Sequence, residues 1–371
     1  MKKIICLLML ATCLTEISAK DKTTVSIVEV NKDADAANGG LIYSLPQTVV
    51  RIKLTARVVV QTAGPFYKYS TRYLNMTDVV TANSMKWQMV SAEVSSKGIA
   101  DPAKRYKISS EQASQLPFVC TDTDGKILAF NKQIKNHRKH RKERYEATPT
   151  YFDMSKISLP GQVLQRTSTA SMAEECANVI YSLREARIDL ISGDKETRLP
   201  DAGAYKTALD RLDKEEADLV SLFAGRRDTL YISRIVEIVP DYAGSDSNVP
   251  VRFSETTGFV DAMDLSGKPI YVDMTFDDTN KVSVYAEGSK QRKSAPIGGL
   301  QYYIPSNLTI KVLDRNHLLT EARIRCTQNA QIATLPTEYA AEKEVIFDPT
   351  TGAIVSVGTK GEKEELPKGK K

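Results

Sequence analysis

Three histidines, His137, His140 and His317, are the chain's whole supply of the side chain that most often serves as general base or metal ligand near neutral pH. The first two lie in the run NKQIKNHRKHRKER, Asn131–Arg144, with a spacing that suits a metal only if that run were helical. His317 lies alone in DRNHLL, a turn sequence. No G-x-S-x-G elbow, H-E-x-x-H, C-x-x-C or P-loop is spelled anywhere. Carboxylates are plentiful, but no pair stands out. The residues therefore favour a non-enzymatic protein, with a carboxylate-dependent hydrolase of glycans or peptides as the alternative. No catalytic, cofactor-binding or metal-ligating residue is assigned, and no cofactor is expected.

Two acidic groups have the look of calcium ligands. Thr121-Asp122-Thr123-Asp124-Gly125 begins like an EF-hand loop, but Asn131 stands where the closing Glu belongs. Asp273, Asp277 and Asp278 form a looser group. Turn chemistry accounts for both. The basic run holds seven Lys/Arg and one Glu, a net charge of +6 against +5 for the whole chain, so the remainder is slightly acidic. Lys135, His137, Arg138, Lys139, His140, Arg141, Lys142 and Arg144 are either an anion-binding patch or a solvated linker, and the linker is the preferred reading. No aromatic residues interleave these charges, so nucleic acid is not expected as a partner.

The elements that must position such residues begin with a leader. MKKIICLLMLATCLTEISAKD has two lysines, an apolar run and a small residue at Ala19, the pattern of a secretory signal over 1–19. Leu10-Ala11-Thr12-Cys13 gives a second reading of the same segment, a lipobox in which Cys13 carries lipid and anchors the chain to a membrane. No later segment reaches the roughly 20 apolar residues of a membrane helix. Cys120, Cys176 and Cys326 are read as free thiols rather than a Cys120–Cys326 bridge.

Residues 20–131 read as an N-terminal β-rich domain. Thr23–Val30 suggests a strand, and Val50, Ile52, Leu54, Ala56, Val58 and Val60 alternate with polar residues, a half-buried strand. FYKYSTRYL suggests a short helix, and WQMVSAEV, KRYKIS and KILAF suggest three further strands. Residues 132–167 have linker composition. Over 168–225 two amphipathic helices form an antiparallel hairpin. The first is opened by a Ser171/Glu174 capping box and stopped by Gly193; the second follows Pro200-Asp201 and ends at Gly225. Glu216 breaks the second apolar stripe and should meet Arg184 or Arg187. Residues 226–358 spell eight short strands, a C-terminal β domain, and 359–371 a charged tail. The fold class expected is α+β, mainly β: two sandwich- or barrel-like β units with the helical hairpin between them.

GGLIYSLP (Gly39, Gly40, Tyr43 and Pro46) comes back as GGLQYYIP (Gly298, Gly299, Tyr302 and Pro305), and both copies lead into period-two strands. The apolar phase after the proline differs by one residue between them. The copies share no polar groups beyond Tyr43 and Tyr302, so the repeat reads as the same lead-in to two related β units rather than as a twice-used binding loop.

GGLIYSLP, GPFYKYSTRYL, the helix pair AEECANVIYSLREARIDLISGD and ALDRLDKEEADLVSLFAG, GGLQYYIP and FDPTTGAIVSV occur together and in this order. In these landmarks the chain resembles the domain-of-unknown-function family DUF4831, uncharacterised exported envelope proteins of Gram-negative bacteria. The resemblance implies one fold along nearly the whole mature chain and an envelope location, periplasmic or associated with the outer membrane. It brings no activity, cofactor or site residue with it. The expectation is a non-enzymatic binding or scaffold protein of the periplasm or the inner face of the outer membrane, partnered by an envelope protein or complex. A lipid-anchored accessory subunit of an outer-membrane complex is the further alternative, if Cys13 is acylated.

Overall fold

The computed structural model describes residues 25–30, 40–110, 118–134, 148–192, 201–241, 248–277, 298–336 and 343–359. These form three antiparallel sheets and a helical layer, so the fold is α+β and mainly β. The first sheet has the order β1-β3-β2-β6, with β1 Val25–Glu29, β2 Leu41–Thr62, β3 Ser84–Ser110 and β6 Arg226–Ile238. The second has the order β11-β10-β9-β7-β8, with β7 Asn248–Ser254, β8 Gly258–Asp261, β9 Lys268–Phe276, β10 Gly299–Asp314 and β11 His317–Pro336. The third, β13-β12-β5-β4, is small: β4 Val119–Thr121, β5 Ile127–Phe130, β12 Lys343–Phe347 and β13 Ile354–Thr359.

The alternation along β2 sets the main core. Val50, Ile52, Leu54, Ala56, Val58 and Val60 are all buried, packed on Val251, Phe253, Ile270, Val272, Leu308, Ile310 and Val312 of the second sheet. Burying each large aliphatic side chain here stabilises the sandwich by roughly 1.5–3 kcal/mol. A second core lies at the other end of β2 and β10, where Tyr43, Leu45, Leu300 and Tyr303 pack under the third sheet through Ile127, Phe130, Val345 and Phe347. The long strands thus pass through both cores and must bend between them.

The bends are bulges, and they fall in the repeated motif. On β2 the register breaks between Ser44 and Pro46, and the paired strand jumps from Arg105 to Ala100. On β10 it breaks between Ile304 and Ser306, and the paired strand jumps from Gln331 to Cys326. The same geometry therefore skips Leu45 in one hairpin and Pro305 in the other, with Asp101–Lys104 and Thr327–Ala330 looping out opposite. This one-residue offset is the phase difference visible in the sequence, and it places Tyr303 where Tyr43 stands, not Tyr302. Tyr43 and Tyr303 are both buried, whereas Tyr302 is only half-buried. Extra residues in a strand sharpen its local bend, as this two-core path requires.

WQMVSAEV and KRYKIS are parts of one strand, β3, which carries Pro102 in its bulge where no ladder N–H is needed. Strand pairing also runs between the N- and C-terminal segments: β6 lies on β2, and β12 lies on β5. KVSVYA falls outside the described residues.

The helical layer comprises α1 Ser70–Leu74, α2 Gly161–Leu164, α3 Thr169–Ser192 and α4 Ala202–Ala224. Ser168, not Ser171, begins α3. The Ser168 hydroxyl accepts the Ser171 amide at 3.2 Å and Ser171 Oγ accepts the Ser168 amide at 3.3 Å, a reciprocal cap three residues earlier than the Ser171/Glu174 expectation. Asp201 caps α4 through the Ala204 amide at 2.7 Å, and Gly225 ends it at φ 73°. Arg184 does meet Glu216, at 2.6 Å, while Arg187 takes Asp213 at 3.3 Å. The main core of this hairpin is at its base, where Ala173, Cys176, Ile180, Leu219 and Phe223 pack with Phe66, Leu74 and Val163; Leu190, near the far end of α3, is also buried. The segment 148–164 contributes Phe152, Met154 and Ile157 to that core. Ile188 and Ile191, near the far end of α3, are exposed.

Candidate functional site

A cleft of about 1140 Å³ opens where two turns of the second sheet meet the first part of β3. Its position follows from register. Asp314 pairs with Ile270 and Phe253 with Lys268, so the β10–β11 turn and the end of β7 lie at the same end of the second sheet. There they reach the stretch of β3 that has β2 on one side only among the described residues. Trp87 donates its backbone N–H to the Glu255 carbonyl at 2.8 Å and fixes that junction.

The floor is aromatic. Trp87, the only tryptophan in the chain, is 9% exposed and packs over Gly258, where a Cβ would come within 2.9 Å of the indole ring. Gly258 also has φ +82°, so the turn that supports the ring requires glycine twice over. The rim is charged. Arg57, Lys86, Lys268 and Arg315 line the cleft with Glu255, Asp314 and His317, leaving an excess of positive charge. Lys268 bonds Glu255, and that ammonium together with Arg315 holds the Glu255 carboxyl below the usual carboxylate range. Arg57 Nη2 donates to Gln88 Oε1 at 2.6 Å. Lys86 and Arg315 have no ion-pair partner among the described residues, and Arg315 is held at φ 53°, uncommon for a side-chain-bearing residue. Such an arrangement lines the cleft with more cationic than anionic side chains, which suits a ligand carrying negative charge.

The residues singled out by sequence fall elsewhere. Lys135, His137, Arg138, Lys139, His140, Arg141, Lys142 and Arg144 lie outside the described residues, as does Gly39. Gly40 and Gly298 precede β2 and β10, Gly299 opens β10, and Tyr43, Pro46, Tyr302 and Pro305 lie at or beside the strand bends. A Cβ on Gly299 would meet the Leu335 carbonyl oxygen at 2.1 Å, so this glycine permits close strand approach. Tyr43 Oη accepts the Gln301 amide at 3.0 Å, which ties the two copies of the motif to one another. Burial pushes the Tyr43 phenol well above its ordinary range and Tyr106, stacked 5.5 Å away, up to about 12. The three cysteines among the described residues, Cys120, Cys176 and Cys326, are free, with Cys120 half-buried and the other two buried; burial pushes the Cys176 thiol up to about 12.

The Asp122–Gly125 turn is not a cation loop. Asp122 accepts the Asp124 and Lys126 amides at 3.0 Å each and forms an ion pair at 3.0 Å with Lys126, whose side chain is 1% exposed. Asp277 pairs with Arg323. No group of three or more His, Cys, Asp or Glu side chains converges among the described residues.

Fold and cleft together define a two-core β protein with a helical appendage and a cation-rich cleft at one corner of its sandwich. The chain belongs to the family described as a domain of unknown function, DUF4831, which matches residues 39–355. That match takes in the whole second sheet, the first sheet apart from β1, the third up to the start of β13, and the helical hairpin. No curated protein and no solved structure matches it.

Proposed function

We propose that this is a non-enzymatic binding or scaffold protein of the cell envelope, exported by its N-terminal leader, and that the cleft at Trp87 holds an anionic part of its partner. The observation that carries the reading is the meeting of Lys86 and Arg315 with the Trp87 floor in one open cleft. Long-range positive potential steers an acidic partner in, and the ring and the neighbouring Met85 and Met89 provide apolar contact once it arrives. No helix of the described residues is long and apolar enough to cross a membrane. The signal pattern in residues 1–19 supports delivery to the periplasm or the inner face of the outer membrane.

Purification from the native envelope in mild detergent tests this. The wild-type chain should carry another envelope component in fixed stoichiometry. The Lys86→Glu/Arg315→Glu chain, equally folded by circular dichroism, should retain about a tenth or less of it, since reversing two charges at a contact costs at least about 1.4 kcal/mol. Recovery of the wild-type chain with no other envelope component would sink the proposal, as would undiminished recovery by the charge-reversed chain.

A further inference from the structure

The sheet edges of this protein are unequal. β1, β4, β8 and β13 are short, from three to six residues. β11 is long, but its pairing with β10 shifts register twice. The uncovered stretch of β3 is guarded at both ends: Glu255 takes the Trp87 amide, and Lys126 Nζ takes the Gly98 carbonyl at 2.7 Å. Val90 bulges between them. Short edges, bulges and capping groups are the usual means of preventing edge-to-edge association. β6 has none of these. It pairs with β2 from Arg226 to Ile238 without a single register shift, and its other edge has no strand beside it among the described residues. Leu230 and Ile235 are over a third exposed, and Tyr231 is 66% exposed.

The direction of its free backbone groups follows from the ladder. Trp87 turns its amide away from β2, so Val58 opposite turns its own toward β6, where it meets Leu230. Alternation then sends the N–H and C=O groups of Arg227, Thr229, Tyr231, Ser233, Ile235 and Glu237 to the open edge. We infer that this edge pairs with the same edge of a second copy of the chain, joining two first sheets into one across a two-fold axis at Ile232. The register is self-complementary. With Ile232 opposite itself, Arg227 of each copy faces Glu237 of the other, Thr229 faces Ile235 and Tyr231 faces Ser233. Opposite charges facing across antiparallel strands favour that register over its neighbours. Asp78, at 2.6 Å from Arg227, and Arg51, at 3.6 Å from Glu237, extend each charge pair into a network. The pairing is independent of what the cleft holds.

Light scattering on the purified protein, over a wide range of concentration, should give twice the single-chain mass. Ser233→Pro removes an outward N–H that β2 does not use and should leave a folded monomer. Arg227→Glu should weaken the dimer about tenfold or more, whereas Arg227→Lys, which keeps the charge, should largely preserve it. A wild-type protein that is monomeric throughout would overturn the inference. So would a dimer indifferent to Arg227→Glu, or one lost equally with Arg227→Lys.

Discussion

Replacing Lys126 with methionine is expected to lower the free energy of unfolding by about 3–5 kcal/mol, the usual cost of stranding one member of a buried ion pair. Lys126 is 1% exposed, and its ammonium is shared between Asp122 at 3.0 Å and the Gly98 carbonyl at 2.7 Å. It sits where the third sheet meets the first, beside the contact of the Ser44 amide with the Gly125 carbonyl at 2.9 Å. Methionine keeps the aliphatic stem but leaves a buried carboxylate and a carbonyl without their charged donor. Burial alone would push the Asp122 carboxyl up, but the hydrogen bonds and charge of Lys126 outweigh it and hold the group below its ordinary range. The sign for stability follows. A carboxyl whose folded pKa is depressed contributes above its unfolded value, about 3.9, and loses that contribution as pH falls through the lower folded value. The wild type should therefore lose stability below about pH 4, and Lys126→Met should lose less over that window. Urea unfolding at pH 7 and pH 3 measures both effects; a loss under about 1 kcal/mol at pH 7 would mean that water replaces the ammonium.

Thr48→Val should cost roughly 2–4 kcal/mol, although it changes the shape of the side chain very little. β6 ends opposite Val50, and beyond it the edge of β2 is taken over by the loop that bulges from β11. There the Thr48 amide donates to Thr327 Oγ1 at 2.8 Å, Gln328 Nε2 donates to the Thr48 carbonyl at 2.8 Å, and Thr48 Oγ1 accepts the Thr327 amide at 3.1 Å. The same hydroxyl donates to the Thr350 carbonyl at 3.0 Å. Removing it leaves a donor and an acceptor unsatisfied at the joint between the two long hairpins. Chemical denaturation reads the loss. A cost below about 0.5 kcal/mol would show that the joint is held by packing alone.

How far these features can be read from the chain depends on whether their partners are local. The alternation Val50–Val60 and the helix pair are local patterns, and both take their expected form. The Glu216 interruption is also local, because i and i+3/i+4 neighbours define a helix face and so define what breaks it. The position of the α3 cap is misjudged because Ser168-x-x-Ser171 closes the same ring as Ser171-x-x-Glu174, and the expectation takes the acidic version. The continuity of β3 is hidden by Asp101-Pro102, which reads as a stop and is in fact a bulge. The meaning of the shifted apolar phase after GGLIYSLP and GGLQYYIP emerges only with the register, since it depends on which residue each hairpin skips. Lys126 opens the expected strand KILAF, and nothing nearby in sequence shows that Gly98 comes to meet it. The cleft is the extreme case. Arg57, Lys86, Trp87, Glu255, Lys268, Arg315 and His317 come from five separated stretches, and the one available signal was the solitary tryptophan.

The binding role of that cleft is tested most directly by photo-crosslinking in intact cells from a benzoylphenylalanine placed at His317, on the rim, against the same residue placed at Ile188 on the exposed end of α3. The expected result is one dominant adduct from position 317, lost in the Lys86→Glu/Arg315→Glu background, with no matching adduct from position 188. Irradiation that yields no adduct from 317, or one that survives the charge reversal, would contradict the assignment of the cleft as the partner site.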